Sequence, residues 1–190
     1  MNKLKYSLGL FAVLAVAQIS VPVYMIWHRE ATLRDGRQFR FQTAPVDPYD
    51  AFRGRYVALQ MAQNSAPISS DEKFASNQKV FAHLEVDDKG LARIVKVTSE
   101  QPAGDAHVQC RVSTMTDSLV YLQFPFDRYY MDEEAAPAAE AAYFEHSRRE
   151  VQDVYVTVRV KEGFAVVEEL YIAGMAIKQF LSRGVEEKRF

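Results

Sequence analysis

Apolar positions follow three different regimes along the chain. From Tyr6 to Trp27 there is no Asp, Glu, Lys or Arg. At about 1.5 Å per helical residue that run spans roughly 33 Å, enough for a bilayer core. From Phe39 onward the period drops to two. Phe39 and Phe41 alternate with Arg40 and Gln42, and Val57, Leu59 and Met61 alternate with Tyr56, Ala58 and Gln60. Val80, Ala82, Leu84 and Val86 lead through Asp87-Asp88-Lys89-Gly90 into Leu91, Arg93, Val95 and Val97, a hairpin pattern. Val108, Cys110 and Val112 mark one further strand, and Val120, Leu122 and Phe124 another. Val154, Val156, Val158 and Val160 form the clearest strand. It turns at Lys161-Glu162-Gly163 and returns from Ala165 to Ala173. Between these strands, Ala138 to Glu150 has the composition of a helix.

These patterns predict a mainly β (α+β) fold: an antiparallel sheet, sandwich-like or partly closed, with one covering helix. The expected organisation is a short tail at 1–5, a transmembrane signal anchor at 6–27 and a linker at 28–37. A β-rich domain at 38–178 and a charged tail at 179–190 follow. The polar stretch from Gln63 to Lys73 reads as a loop, and Asp35-Gly36 as a turn. Asp132 is one candidate helix N-cap, with Pro137 marking a later start as the alternative.

The apolar run has a competing reading. Lys3 and Lys5 with Ala15-Val16-Ala17 resemble a cleavable signal peptide. Yet the run continues ten residues past Ala17, so an uncleaved anchor contacting the lipid bilayer is the expectation. Tyr6, Tyr24 and Trp27 sit where amphipathic rings prefer the interface. Lys3 and Lys5 favour a cytoplasmic N-terminus, whereas Arg29, Arg34, Arg37 and Arg40 after the span count the other way. A long C-terminal domain translocates despite such charges, which supports an extracytoplasmic domain.

The formal net charge of -2 gives a nucleic-acid partner no support. The single cysteine, Cys110, excludes an internal disulfide and reads as a buried strand thiol. The four histidines are scattered and match no metal-ligand spacing, and no serine lies in a nucleophile elbow. No metal or cofactor is expected.

Two blocks concentrate charge, aromatics and special geometry. In the first, Asp47 suits the cap of a tight helical turn and Pro48 its first position. Asp50 falls in the first turn, and Gly54 suits the residue just past the end. Asp47, Asp50 and Arg53 are spaced by three and would share one side of that turn. Arg55, Tyr56 and Leu59 lead into the next strand. The second block is Phe126-Asp127-Arg128-Tyr129-Tyr130-Met131-Asp132-Glu133. Arg128 between aromatics, with Glu133 nearby, is either a stacked structural ion pair or a holder of an anionic group.

Gly54-Arg55-Tyr56-Val57-Ala58-Leu59-Gln60-Met61 resembles the signature of the GDYXXLXY proteins, bacterial membrane-anchored proteins without an assigned activity. Gly54, Tyr56 and Leu59 match; Arg55 stands in place of the Asp and Met61 in place of the second Tyr. The Arg128-Tyr129 segment and the closing hairpin also resemble that family's elements in order. The resemblance implies a single-pass protein of the plasma membrane with an exported domain.

Two functions follow as expectations. One is a non-catalytic binding or interaction module with a membrane-protein partner. The alternative is an envelope hydrolase using the Asp47/Asp50 carboxylate pair. Capping by Asp47 and pairing of Asp50 with Arg53 or Arg55 favour the non-catalytic reading. The two blocks are expected to meet in space.

Overall fold

The computed structural model describes residues 2–45, 56–68, 73–148 and 151–187. Helix α1 (Asn2–Asp35) is followed by β1 (Arg37–Ala44), β2 (Tyr56–Ala58), β3 (Gln60–Met61) and β4 (Ser65–Pro67). Then come β5 (Lys79–Val86), β6 (Ala92–Thr98), β7 (His107–Met115), β8 (Leu119–Gln123) and β9 (Arg128–Tyr130). Helix α2 (Ala136–His146), β10 (Val154–Lys161), β11 (Phe164–Ile172), β12 (Met175–Ala176) and α3 (Ile177–Glu187) complete the chain.

One antiparallel sheet has the order β12-β11-β10-β1-β3, a second β4-β8-β7-β5-β6, and β2 and β9 form a two-stranded ribbon. The result is mainly β and nearly closed. Alternation places Phe39 and Phe41 of β1, the valines of β10 and the apolar residues of β5 and β7 in one shared core. Cys110 is buried there, and burial pushes its thiol up to about 12. The sheets also touch directly: Gln109 N donates to Gly163 O at 2.9 Å, where β7 crosses the β10–β11 turn. Three aromatics, Phe41, Phe124 and Phe126, pack with ring centroids 5.0–5.6 Å apart within that core.

Four local expectations are revised. Residues 28–35 are not a linker; α1 runs through them and packs on β10 and β11. Thr32 is fully buried and its hydroxyl donates to His28 O at 2.9 Å. Asp35-Gly36 ends a helix rather than turning a hairpin. A Cβ on Gly36 would lie 2.4 Å from Thr32 O and 3.1 Å from Val160 O, so the corner between helix and sheet admits only glycine. The loop at 63–73 contains β4, which pairs with β8. Residues 179–187 of the expected tail belong to α3, because Ile177, Phe180 and Leu181 share a face that packs on the core.

Helix α2 begins after Ala135, without a side-chain cap, and Pro137 lies in its first turn. Asp132 therefore does not cap it directly. Its backbone carbonyl instead accepts from the N–H groups of Ala135 and Ala136. α2 is shorter than the predicted stretch because the chain must turn at Ser147 to enter β10.

Candidate functional site

The ribbon β2–β9 brings together parts of the two dense blocks. Tyr56 lies opposite Tyr130, Val57 opposite Tyr129, and Ala58 opposite Arg128. Of the first block, Asp47, Asp50, Arg53, Gly54 and Arg55 lie outside the described residues. The carboxylate pair of the hydrolase alternative therefore has no described geometry.

Alternation splits the ribbon into two faces. Val57 and Tyr129 point inward and are buried, as is Leu59 just beyond. Arg128 and Tyr130 point outward. On the outer face the Arg128 guanidinium lies 4.9 Å from the Tyr56 ring centroid, and the Tyr56 and Tyr130 rings are 5.7 Å apart at 58°. This is a cation–π arrangement on an aromatic pair. Arg128 Nε also lies 3.6 Å from Asp127. A hydrogen bond to Tyr130, then the Asp127 charge, reinforce the positive state of Arg128. Glu133 is exposed in the turn that follows β9.

The inner face is structural. Tyr129 donates its hydroxyl to Glu169 at 2.5 Å. Burial, then this bond and the Glu169 charge, push the phenol well above its ordinary range. The Glu169 oxygen also accepts from Leu170 N at 3.0 Å. A β-bulge makes this possible: Thr157 pairs with Glu169 and Val158 with Val167, leaving Glu168 as the extra residue. Both glutamates thereby find partners, Glu169 at Tyr129 and Glu168 at Arg159, 2.9 Å away.

Tyr143 of α2 joins the flanks of the first block. Its hydroxyl donates to Ala44 O at 2.8 Å and accepts from Gln60 N at 3.4 Å, with the side chain almost wholly buried. Leu59 N donates to Asp127 O at 2.8 Å, extending the contact between the blocks beyond the ribbon. Sequence pattern did not single out Tyr143. One tyrosine in an alanine-rich helix carries no mark of a bond to a strand 99 positions away.

Beside the outer face runs an open groove of about 400 Å³. Its lining includes Asp127, Arg128 and Tyr130, Phe164 to Val167 of β11, Gln109 of β7 and Arg29. Arg29 comes from α1, two residues beyond Trp27. Phe164 packs on His28 with centroids 4.5 Å apart, and His28 stacks on Tyr24 at 5.9 Å. The groove therefore adjoins the last turns of the apolar helix. Arg29 was legible only as a charge flanking the span, and Phe164 only as a residue after a turn.

Among the described residues, no cluster of three His, Cys, Asp or Glu side chains could hold a metal. The family profile described as GDYXXLXY protein matches residues 18–170. No curated protein matches the chain, and no solved structure does.

Proposed function

The chain belongs to the GDYXXLXY protein family, and from that premise we propose that it is a single-pass membrane-anchored binding module. In this reading residues 6–27 of α1 cross the plasma membrane of a bacterium. The short N-terminus is cytoplasmic, the β domain stands outside, and the module holds its partner or ligand at the membrane surface without catalysis. One observation carries the reading. The apolar helix passes unbroken from the span into contact with β10 and β11, so the exposed face of β2–β9 is held at a fixed height above the bilayer. The described acids beside the ribbon are engaged, which supports reading its outer face as a binding surface. Glu169 is engaged by Tyr129 and Leu170 N, and Asp127 sits against Arg128. Arg128 and Tyr130 keep their outward faces open to solvent.

Alkaline carbonate treatment of membranes, followed by protease digestion of intact spheroplasts, tests the proposal. The full-length chain should stay in the pellet with residues 1–17 attached, and external protease should remove the β domain. Release into the supernatant, a mature N-terminus at Gln18, or a domain shielded until the cells are lysed would each contradict it.

A further inference from the structure

Taking the membrane-surface reading as premise, we propose that the groove between α1, β9 and β11 holds the phosphate of an anionic phospholipid from the leaflet that α1 leaves. Position is the first argument. Arg29 lies about 3 Å along the helix axis beyond Trp27, at headgroup level if residues 6–27 span the core. Phe164 on the same lining is 43% exposed and packed on His28, the neighbour of Arg29. An aromatic of that exposure beside the end of a span suits the interfacial zone.

Charge is the second argument. The groove presents two arginines, Arg29 and Arg128, against one carboxylate, Asp127. A guanidinium offers a fork of donors that matches a phosphate diester. Tyr130, 61% exposed, and Gln109 add neutral donors on the same lining. Size and polarity are the third. About 400 Å³ accommodates a headgroup, and the β11 wall is apolar where glycerol and the first methylenes would lie. A free phosphate shares the anion chemistry but has no use for that wall or for proximity to the span.

Native mass spectrometry of the full-length chain in mild non-ionic detergent tests this, with equal phosphatidylglycerol and phosphatidylcholine added. The wild type should retain phosphatidylglycerol in preference. Arg29→Gln and Arg128→Gln should each lower that retention about fivefold, the scale expected for one arginine near an anionic surface. Phosphatidylcholine binding should barely change. Asp127→Asn should act in the opposite direction and raise retention, which no general loss of folding can mimic. Arg93→Gln, on β6 and away from the groove, should leave it unchanged. Equal retention of the two lipids by the wild type, insensitivity to both arginine variants, or a fall with Asp127→Asn would overturn the assignment. Displacement of the lipid by excess inorganic phosphate would also overturn it, in favour of a soluble anion. A chain that pellets after carbonate but shows no lipid preference sinks only the lipid assignment. A chain released by carbonate sinks the anchor reading with it.

Discussion

Gly36→Ala probes the corner where the anchor helix becomes the β domain. The added Cβ would sit 2.4 Å from Thr32 O, with Val160 O at 3.1 Å and Val160 C at 3.2 Å. All three are backbone atoms, so no side chain can swing aside. The chain must open by roughly 1 Å, and overpacking of that kind costs about 1–3 kcal/mol. The opening also disturbs the Gly36 N–H bond to Thr32 O, now 2.9 Å, worth about 1 kcal/mol net. A loss of about 2–4 kcal/mol corresponds to roughly 4–16 °C in melting temperature for a chain of this size. Circular dichroism of the full-length chain in mild detergent reads the melt, and limited proteolysis reports whether cleavage appears near residue 36. Gly9→Ala is the control, since nothing lies within 4 Å of its Cβ position. If Gly36→Ala melts within about 1 °C of wild type and gains no cleavage, the corner is not fixed as described.

Tyr143→Phe removes the hydroxyl between Ala44 O and Gln60 N; a loss of about 1–3 kcal/mol is expected in urea unfolding. His107 is 1% exposed and neither ring nitrogen makes a well-formed hydrogen bond. Burial, then the charge of His83 across the strand pair, lower its pKa, against weaker upward pulls from Asp105 and the Gly104 backbone. The folded state then disfavours the proton that an unfolded histidine takes up near 6.5. The stability this gives is complete above about 6.5 and drains as pH falls from there through the lowered folded value. Melting temperature should drop more steeply between about pH 7 and 5 in wild type than in His107→Leu. Cys110, with its thiol raised to about 12 by burial, should resist thiol reagents at about pH 8 until the fold is melted, as counted by intact mass.

The long strands were legible because side-chain burial imposes period two. Val154, Val156, Val158 and Val160 are all buried in β10, and Val57, Leu59 and Met61 face inward as their spacing implies. The continuation of α1 was hidden, because Arg29, Glu30, Arg34 and Asp35 suit a solvated helix face as well as a linker. Thr32 and Gly36 are the buried residues of that stretch, and burial of a threonine leaves no pattern in sequence. Strand β9 has three residues and its partner is β2, some seventy positions earlier; nothing local specifies such a pairing. The i, i+3, i+4 set Ile177, Phe180 and Leu181 was visible, but the charged residues after it obscured the helix. In the site, Arg128 and Tyr129 were legible as special and are divided by strand alternation into an exposed and a buried role. The groove was not, since Arg29, Gln109 and Phe164 meet there only through the tertiary fold.

In the proposed arrangement α1 holds the β domain directly on the bilayer, with the β10–β11 turn at the headgroups. Strand β11 carries the chain from Phe164 to Ile172, about 26 Å at 3.3 Å per residue, and Lys89 lies beside Gly174 at the far end. A fluorophore on Phe164→Cys or on Lys89→Cys, in bilayers containing headgroup-nitroxide lipids, measures both heights. The buried Cys110 can stay in place. Strong quenching at position 164 and almost none at 89 is the predicted result. Equal quenching at the two positions, or none at 164, would show a domain that does not rest on the membrane.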